Sequence, residues 1–487
     1  MSIFYFIMNI PKEIKNIINK VKTAGFEIFV VGGSVRDLLL EKSDTGDWDL
    51  TTNAKPDEIL KIFPEGKYEN DFGTVLVPIK SDTDEVMFVV EITTYRSESG
   101  YSDRRHPDEV VFEEKLENDL SRRDFTVNAI AWDGEKGEII DLFGGKKDIR
   151  KKVIRAVGEP VDRFKEDALR MMRAIRFACQ LGFTLEEKTA RGISKMAGSI
   201  KFIAKERIRD ELVKILKSDK AYVGFMMLHD YKLLQYIIPE LEQGVGMEQN
   251  HHHTYSVFEH LALALKNCPN KDWRVRFTAL LHDIGKPKTR KVVDGVVTFY
   301  NHEYAGARMT EKILSRLKFS AADTEKIVNL VRNHMFYYNV GQVTESSVRR
   351  LISKVGKENL KDLIDLRIAD RLGSGVPKAK PYKLRHLEYI MEKVQNDPVS
   401  VKMLKLNGDY MIANLGFAPG PKMGAVLDIL LSEVLDDPAR NTLDYLSQRA
   451  LQLEQEDFNA LREKAREAIG EKREEDDRKI KRNYYVK

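Results

Sequence analysis

The stretch from Phe29 to Thr52, FVVGGSVRDLLLEKSDTGDWDLTT, constrains the fold of this chain more than any other part. It combines an apolar β-branched run, a double glycine (Gly32, Gly33), a short apolar helical segment and two acidic residues, Asp47 and Asp49. In order, these pieces predict strand, turn, helix and strand. The glycines let backbone amides approach an anion, and the helix N-terminus that follows favours negative charge. The stretch therefore predicts a phosphate-binding turn beside an acidic pair.

The acidic pair predicts a metal site. On an extended strand Asp47 and Asp49 point to the same face, because side chains alternate along a strand. Two carboxylates on one face suit Mg²⁺, which takes oxygen ligands and often shares them with substrate phosphates. Each half alone is weaker, because a Gly-Gly turn is more often only a turn and a surface Asp-x-Asp is usually solvated charge. A phosphate cradle next to such a pair indicates nucleotidyl transfer.

Order and spacing together resemble the opening motif of the class II tRNA nucleotidyltransferases and bacterial poly(A) polymerases, GG-x-VRD followed by D-x-D. Trp48 stands between the aspartates, where the family more often has Phe. The resemblance implies that Asp47 and Asp49 hold Mg²⁺ and catalyse the transfer. The nucleotide-binding residues that it implies in this stretch are Gly32, Gly33, Ser34 and Arg36.

The bulk composition fits a large globular protein of several domains. A chain of 487 residues is too long for one core, so we expect two to four domains. A net charge of +4 neither requires nor excludes a polyanionic partner. The presence of only Cys179 and Cys268 fits a reducing cytosol, and no apolar run approaches the roughly 18 residues of a membrane span. We therefore expect a cytoplasmic protein without membrane contact.

The first residues, MSIFYFIM, make a poor secretion signal, because they lack a basic leader and soon meet Pro11. Met8 is an alternative natural start, which intact-mass analysis of native protein would test.

Strand-like runs follow the opening stretch. Thr74–Ile79 and Val86–Thr94 are rich in Val, Ile and Phe and predict strands. Glu91 in the second run could add a third carboxylate, although a charge facing solvent fits the pattern at least as well. The polar stretch Arg96–Val110 predicts a loop. By resemblance this is the flexible loop of CCA-adding enzymes, which helps the site to move from CTP to ATP.

The motif RRDFTVNA (Arg122–Ala129) precedes an apolar run. From the residues alone, a surface salt-bridge cluster is an equally good interpretation. The same wording is a specific motif of the superfamily, and the resemblance implies that Arg123 contacts the nucleotide. Asp124 and Asn128 would then organise the pocket.

One helix is predicted over Asp162–Phe183, DRFKEDALRMMRAIRFACQLGF, with its apolar residues on one arc. On geometry alone, the charged arc needs only ion pairs worth about 0.2–0.5 kcal/mol each. The wording ED-x-LR-x-x-R-x-x-RF, however, follows the superfamily. It implies that Asp167 and Arg170 read the Watson–Crick edge of C or A, since a carboxylate accepts from the exocyclic amine and a guanidinium donates to ring acceptors. Arg173 and Arg176 would support that pair or the triphosphate.

A second chemistry is indicated by histidines in five segments between residues 250 and 375, including ALLHDIGKP (Ala279–Pro287). A lone histidine on an apolar helix is usually a satisfied core residue, but five segments in this order resemble the HD phosphohydrolase domain. The ligands of a divalent metal implied by the resemblance are His260, His282, Asp283 and Asp370. His302 and His334 fall where two-metal members place extra ligands. Such a donor set suits Mn, Fe, Ni, Co or Mg, so the metal stays open, and it predicts phosphatase or 2′,3′-cyclic phosphodiesterase activity.

The predicted fold class is α+β. We expect a nucleotidyltransferase head with a mixed β-sheet at residues 1–150, followed by a helical neck at 151–225 that holds the base-reading helix. An HD domain at 226–380 and a helical tail at 381–487, contacting tRNA, complete the predicted chain. The oligomeric state is left open.

The favoured function is template-independent addition of C, C and A to the 3′ end of tRNA from CTP and ATP. A poly(A) polymerase is disfavoured, because its basic G-[KR]-RF-x-x-x-H motif is missing from Phe63–Val77. An A-adding enzyme stays open. An HD phosphohydrolase with a silent head and a non-catalytic tRNA-binding module are disfavoured by the intact acidic and base-reading residues.

Overall fold

A mixed β-sheet forms the amino-terminal part of the chain. A computed structural model describes residues 10–42, 48–70, 73–81, 83–99, 109–249, 255–336, 338–341, 343–395 and 404–461, with 463 and 484. The strands among the described residues are β1 (Ile28–Val31), β2 (Asp49–Thr52), β3 (Lys67–Asn70), β4 (Thr74–Lys80), β5 (Val86–Thr94), β6 (Arg96–Ser99), β7 (Glu109–Phe112), β8 (Ala131–Trp132), β9 (Ile139–Ile140), β10 (Val153–Ile154), β11 (Thr184–Leu185), β12 (Lys291–Val293) and β13 (Val296–Thr298). Seven of them form one sheet in the order β3-β4-β5-β2-β1-β8-β9.

Helices dominate after the sheet. The helices before residue 200 are α1 (Lys12–Thr23), α2 (Gly33–Leu39), α3 (Pro56–Ile62), α4 (Leu116–Ser121), α5 (Gly145–Lys151), α6 (Pro160–Glu166), α7 (Leu169–Leu181) and α8 (Glu187–Met196). The next are α9 (Lys205–Lys217), α10 (Ala221–Asp230), α11 (Leu234–Ile237), α12 (Pro239–Glu242), α13 (Val257–Lys266), α14 (Trp273–Leu281), α15 (Lys286–Thr289), α16 (His302–Arg316) and α17 (Ala321–Asn333). The last are α18 (Glu345–Val355), α19 (Leu360–Gly373), α20 (Tyr382–Gln395), α21 (Gly408–Leu415), α22 (Pro421–Asp436) and α23 (Leu443–Glu454). The predicted α+β class is confirmed, with the short pairs β10–β11 and β12–β13 inside the helical part.

The chain divides into two compact units. The first comprises Met1–Arg332 and Asp365–Val376, and the second comprises Asn333–Ile364 and Pro377–Lys487. In the first unit a continuous apolar core runs from the sheet through α7 and α9 to α13 and α14. The second unit has its own core between α21, α22 and α23. Among the described residues, no helix combines the length and the apolar character that a membrane crossing requires. The predicted domain limits at residues 150, 225 and 380 stay predictions.

The sheet register places the acidic residue of β2 at the centre of the head. β1 pairs antiparallel with β2, which sets Val31 opposite Asp49. β2 pairs parallel with β5, which sets Asp49 opposite Glu91. Leu50 and Ile92 are buried on the other face, because side chains alternate along a strand. Asp49 therefore starts its strand beside the end of β1, where the double glycine follows.

The expected loop at Arg96–Val110 is partly wrong. β6 and β7 pair antiparallel, with Arg96 opposite Phe112, so both ends of this stretch are extended. The polar composition concealed the β-branched pair Val110 and Val111, which with Phe112 favours a strand. Residues 100–108, the centre of the expected flexible loop, lie outside the described residues.

The expectation of one helix over Asp162–Phe183 is also wrong, because the chain leaves the helical conformation at Asp167. Its φ of −139° and ψ of 106° separate α6 from α7. The Leu169 backbone N–H donates to Asp167 Oδ1 at 3.0 Å, a local hydrogen bond that offers the backbone an alternative to the helix. Asp167 consequently lies at the junction of the two helices and not on the face of one.

Candidate functional site

The glycine turn brings backbone and charge together after β1. Gly32 has a φ of 74° and directly precedes α2, a conformation that glycine adopts without strain. A Cβ placed on Gly32 would lie 3.2 Å from Asp49 Oδ2 and 3.1 Å from Arg123 Nη1. Ser34 Oγ accepts a long hydrogen bond from the Asp49 backbone N–H at 3.4 Å. A side chain at position 32 would therefore intrude between the carboxylate and the guanidinium.

Of the two predicted catalytic carboxylates, the structure describes Asp49. Asp47 lies outside the described residues, whereas Asp49 is partly buried at the start of β2. Glu91, the uncertain third carboxylate, is exposed and stands opposite Asp49 across the parallel strand pair. Because residues paired across neighbouring strands share one face of the sheet, Glu91 lies on the same face as Asp49.

One cavity of ≈ 670 Å³ collects the other transferase residues predicted from the sequence. Its predicted lining residues are Gly32, Gly33, Ser34, Arg36, Asp49, Arg123, Asp124, Asn128, Asp167, Arg170, Arg173 and Arg176. The lining residues that the sequence did not indicate are Asp37, Arg122, Phe177 and Arg207. Seven arginines and four aspartates line this cavity, which we call the nucleotide cavity after its predicted ligand. The excess of positive charge suits an anionic ligand.

Arg36 joins α2 to the RRDFTVNA motif. The guanidinium is buried and donates to Asn128 Oδ1 at 2.7 Å and to both carboxylate oxygens of Asp37 at 2.8 and 3.1 Å. Burial raises the pKa of Asp37, but the hydrogen bonds and charges of Arg36 and Lys42 outweigh burial, so the pKa is lowered. Arg36 therefore links α2 to the RRDFTVNA motif through a buried, charged side chain.

Asp124 fastens α7 to the same motif. It accepts hydrogen bonds from Arg173 Nε and Nη2 at 2.8 and 2.6 Å and from Asn128 Nδ2 at 3.1 Å. Burial raises the pKa of the Asp124 carboxyl, but the positive charge of Arg173 and the Asn128 hydrogen bond bring the pKa below its ordinary value. The three predicted residues thus form one hydrogen-bonded network around the ionised Asp124 carboxylate.

A buried carboxylate that the sequence did not indicate orients the two arginines before this network. The side chain of Asp119 is fully buried and contacts Arg122 Nη2 at 2.6 Å and Arg123 Nη2 at 3.1 Å. Because α4 ends at Ser121, Asp119 holds both guanidinium groups across the helix end. Arg123 is thereby directed towards Gly32 and the mouth of the turn.

The predicted base-reading residues have separate partners. Asp167 receives two hydrogen bonds from Arg207 on α9, from Nη2 to Oδ2 at 2.7 Å and from Nη1 to Oδ1 at 3.3 Å. Arg170 instead donates to Glu166 Oε2 at 2.6 Å and to the Arg122 carbonyl at 3.1 Å. Asp167 and Arg170 both line the cavity, but each is held by a different element. Arg207 stands in the α9 stretch AKERIRDELVKIL (Ala204–Leu216), in which the sequence indicated no site residue.

Arg176 stands further along α7 with a buried partner. Its Nε lies 2.7 Å from Glu211 Oε2 on α9, and its guanidinium lies 4.1 Å from the centroid of the Phe177 ring. The Asp167–Arg207 and Arg176–Glu211 pairs together tie α7 to α9. The wall of the nucleotide cavity is therefore set by the packing of two neck helices.

The histidine cluster lies in the first unit and is buried. His260 Nε2 lies 3.0 Å from His282 Nε2, 3.2 Å from Asp283 Oδ2 and 3.4 Å from Asp370 Oδ1. His302 Nε2 lies 3.1 Å from Asp283 Oδ1. Burial lowers the pKa of His260, but Asp283 and Asp370 raise it to about 9. The predicted ligands His260, His282, Asp283, His302 and Asp370 thus converge, and His334, the sixth predicted ligand, is buried as well.

The donor set fits a divalent metal. His282 Nδ1 contacts the Ala279 carbonyl at 2.9 Å, and His302 Nδ1 contacts the Phe299 carbonyl at 2.8 Å. A carbonyl can only accept, so each Nδ1 carries the proton and each Nε2 offers its lone pair. Metal-binding histidines are commonly fixed in this way by their second nitrogen. Two imidazoles and a carboxylate in such positions are suitable ligands for a transition metal.

Buried Lys286 is a further charged group at this cluster that the sequence did not indicate as functional. Its Nζ lies 2.6 Å from Asp283 Oδ2 and donates to Gln249 Oε1 at 2.6 Å. Burial raises the pKa of Asp283, but Lys286 and His282 hold the pKa well below its usual range. Asp283 therefore remains ionised and available to a cation.

Comparisons with known proteins identify matching families along the chain. Three family models match successive segments: the Poly A polymerase head domain over residues 28–155, the probable RNA and SrmB-binding site of polymerase A over 182–244, and the HD domain over 250–374. The first model contains the glycine turn and the RRDFTVNA motif, and the last contains all the predicted histidine-cluster ligands.

Curated relatives of this chain are tRNA nucleotidyltransferases. An A-adding tRNA nucleotidyltransferase from Deinococcus radiodurans is 38% identical over 331 residues, which cover 65% of this chain and 74% of that protein. A CCA-adding enzyme from Enterococcus faecalis is 44% identical over 245 residues, or 50% of this chain and 58% of that protein. The matches thus span little more than half of the CCA-adding relatives. The solved structure of the Bacillus stearothermophilus CCA-adding enzyme with CTP superimposes with a TM-score of 0.58 and 27% identity, covering 93% of this chain and 98% of that chain.

Proposed function

The chain belongs to the class II tRNA nucleotidyltransferases, which share a poly A polymerase head, and from this premise we propose that it adds C, C and A to the 3′ end of tRNA from CTP and ATP. The observation that carries the proposal is the nucleotide cavity. It joins Asp49 and the Gly32–Gly33 turn to Asp167 and Arg170. A nucleotide bound there would meet phosphate-binding groups at one end and base-reading groups at the other.

Asp49 and its sequence neighbour Asp47 are the residues that would hold Mg²⁺. The Asp49 carboxylate faces the glycine turn, where a triphosphate would lie, and its hard oxygens suit this cation. When bound, Mg²⁺ would activate the 3′-hydroxyl of the RNA primer and neutralise charge on the triphosphate. Arg123, which Asp119 orients, would add a fixed positive charge next to the turn.

Base choice would come from the junction between α6 and α7. A carboxylate offers about four acceptor positions, so Asp167 can accept from the exocyclic amine of C or A while it also accepts from Arg207. Arg170 would donate to ring acceptors of the same base. U and G present a carbonyl where C and A present the amine, and two facing acceptors repel. The pocket would therefore select C and A without a nucleic-acid template.

An extension assay tests the proposal. The protein is offered tRNA that ends before CCA, after the first C and after CC, with CTP and ATP supplied separately. Growth by C, C and A followed by arrest is the expected result. Unlimited A addition would indicate a poly(A) polymerase and overturn the proposal.

An A-adding enzyme is the second candidate. The observation that favours it is the Deinococcus relative, because the match extends over 74% of a protein whose name specifies A addition. The same assay separates the two candidates. An A-adding enzyme would extend only the tRNA that already ends in CC and would ignore CTP.

For the histidine cluster we propose a phosphohydrolase activity on phosphomonoesters or 2′,3′-cyclic phosphates at RNA ends. The anchored Nε2 lone pairs of His282 and His302 and the ionised Asp283 support this second activity. Hydrolysis would be measured after loading the protein with Mn²⁺, Ni²⁺, Co²⁺ or Mg²⁺ in turn. Failure to cleave cyclic phosphates and simple phosphoesters with every metal would refute it.

A further inference from the structure

One aromatic ring, that of Phe177, is shared by three arginines in the wall of the nucleotide cavity. The guanidinium carbon lies 4.1, 5.3 and 5.4 Å from the ring centroid in Arg176, Arg36 and Arg173, respectively. All three distances are below roughly 6 Å, the range in which a ring attracts a cation through its negative face. The motifs used above assign no role to this phenylalanine.

The core side of the cavity holds the Phe177 ring in place. The residue is buried and packs edge to face on Phe125, with 5.8 Å between the ring centroids and 79° between the ring planes. Phe125 belongs to the RRDFTVNA motif and is itself fully buried. Because protein interiors are close-packed, a ring packed in this way has little room to turn. The ring is therefore a rigid contact between the head motif and α7.

The three guanidinium groups at this ring repel one another. Burial lowers the pKa of Arg176, and its partner Glu211 raises it. The positive charges of Arg173 and Arg36 lower it as well, so the pKa lies below its ordinary value. Arginine nevertheless keeps its charge at neutral pH. Three positive charges thus crowd around one ring and require a contact that gathers them without neutralising them.

Arg176 depends on the ring most. Its Nε lies 2.7 Å from Glu211 Oε2, but both atoms are buried and have no hydrogen-bond partner among the described residues. Arg176 Nη1 donates a long hydrogen bond of 3.4 Å to Gln180 Oε1. Glu211 thus attracts this guanidinium without the directionality of a hydrogen bond. The ring, at 4.1 Å, consequently orients the plane of the group.

A ring positions an arginine differently from a carboxylate. The five N–H donors of a guanidinium point outwards in its plane, and a carboxylate fixes the group by accepting hydrogen bonds from some of them. A ring contacts the face of the guanidinium and occupies none of these donors. An arginine held by a ring can therefore still donate to the oxygens of a phosphate.

We propose that Phe177 is a positioning residue for the triphosphate of the incoming nucleotide and acts through the three arginines around its ring. The ring gathers guanidinium groups from α2 and α7 into one cationic wall and leaves their donors to the phosphates. The inference rests on the proposed function for the identity of the ligand, a nucleoside triphosphate. It adds to that function an apolar residue on which recognition of the triphosphate depends.

The test compares full-length variants that remove the ring with one that keeps it. Phe177→Leu and Phe177→Met retain an apolar side chain without a ring, whereas Phe177→Tyr retains the ring. The matched control is Phe183→Leu, because Phe183 is also buried, lies just after α7 and does not line the nucleotide cavity. Kd values for CTP, ATP and CMP are measured by isothermal titration calorimetry. Urea denaturation gives the free energy of unfolding of every variant.

We expect both variants without the ring to bind CTP and ATP about tenfold more weakly, which corresponds to about 1.4 kcal/mol. Their affinity for CMP, which lacks the two outer phosphates, should stay within about twofold of the wild type. Phe177→Tyr should restore CTP binding to within about threefold. The Phe183→Leu control should lose stability and keep the ratio of CTP to CMP affinity.

A double-mutant cycle tests whether the ring acts through an arginine. Arg176→Gln should weaken CTP binding by about tenfold, and adding Phe177→Leu should weaken it by less than about threefold more, because coupled residues are not additive. Fully additive losses would contradict a role through Arg176.

An equal loss of CTP and CMP affinity, an unchanged CTP affinity without the ring, or a Phe177→Tyr variant as weak as Phe177→Leu would each overturn the inference. If neither variant without the ring folds, the ring serves the fold itself and the positioning role is likewise overturned. A wild-type protein that prefers CTP to CMP through Phe177 but incorporates neither C nor A would instead refute the proposed function alone.

Discussion

The nucleotide cavity and the histidine cluster hold their charged groups in opposite ways. In the nucleotide cavity, ion pairs such as Asp167–Arg207 and Asp124–Arg173 join separate elements and keep partial access to solvent. In the histidine cluster, the His260 and His282 side chains are almost completely buried and their Nε2 atoms face each other. In the nucleotide cavity each of these carboxylates is paired with an arginine of another element, whereas the histidine cluster also gathers the imidazoles of His260 and His282 around the Asp283 carboxylate. The first is therefore preorganised for an anion and the second for a cation.

Loss of the central carboxylate should separate the two sites most sharply. Asp49→Ala should lower nucleotide transfer by about 10³-fold or more, because a metal-binding carboxylate acts on the developing charge of the transition state. Hydrolysis at the histidine cluster should stay within about twofold. The paired control, His282→Ala, should show the reverse pattern. Loss of both activities in a folded Asp49→Ala protein would contradict two independent sites.

The next largest effect is expected from Arg207, which positions Asp167. Arg207→Ala should lower kcat/KM for C and A addition by about 10- to 100-fold, the cost of about 1.5–3 kcal/mol for a charged hydrogen bond. Arg207→Lys should recover only part of the lost kcat/KM, because lysine cannot form the two parallel hydrogen bonds that arginine donates to a carboxylate. The diagnostic measurement is the ratio of correct to incorrect nucleotide incorporation, which should fall as well.

Glu206→Ala, an exposed neighbour on α9, supplies the control for Arg207. If incorporation slows in Arg207→Ala while discrimination against U and G is unchanged, the proposed positioning of Asp167 is wrong.

The ionised Asp124 carboxylate of the nucleotide cavity predicts a defined dependence of stability on pH. The lowered pKa of Asp124 means that its pairing with Arg173 stabilises the fold above the carboxyl's unfolded pKa near 3.9. This contribution disappears as the pH falls through the lower folded pKa. Asp124→Asn should cost about 3 kcal/mol at pH 7, where the pair is intact, and much less near pH 2. Urea denaturation at both pH values measures the difference, and an equal cost at both would exclude the ion pair as the cause.

The smallest effect concerns the buried cluster. The ligand atoms of the histidine cluster face one another and can bind one metal ion together. Mn²⁺ or Ni²⁺ at a concentration of 100 times its Kd should therefore stabilise the native protein by about 2.7 kcal/mol and raise Tm by several degrees. Removal of the metal with a chelator should reverse the shift. His260→Ala should abolish the metal-dependent change, and Asp49→Ala should preserve it. A shift that survives in His260→Ala would place the bound metal elsewhere.

Much of the fold, and most of the residues that line the nucleotide cavity, could be predicted from local sequence patterns and motifs. The double glycine Gly32–Gly33 predicts a turn, because glycine adopts a positive φ without strain. The apolar spacing of Ile14, Ile17 and Val21 gives α1 its buried face. The partners of the charged groups could not be predicted in this way. Arg207 is 40 residues from Asp167 along the chain, and no local rule links them. Pairing of this kind follows from how helices pack.

The break between α6 and α7 could not be seen in the sequence for a related reason. The 3.6-residue period of apolar positions continues through Asp167, so periodicity predicts one helix. An aspartate that accepts a hydrogen bond from the backbone N–H two residues later can interrupt such a pattern locally, and whether it does so depends on a partner such as Arg207. The prediction of His260 and Asp370 as cluster ligands likewise depends on the family motif, whereas Lys286 and its contact with Asp283 required the structure.

The position of Asp167 limits how base preference can change in such an enzyme. The carboxylate proposed to read the base also accepts the Leu169 N–H and so starts α7. The start of a helix favours Asp, Asn, Ser and Thr, whose side chains accept hydrogen bonds from its first N–H groups. This preference limits which substitutions at position 167 keep the helix start. Each of these side chains offers an acceptor oxygen. A variant library restricted to these four residues would explore most of the specificities that the helix junction permits, whereas an apolar replacement would also lose the hydrogen bond to Leu169, at a cost of about 0.5–2 kcal/mol.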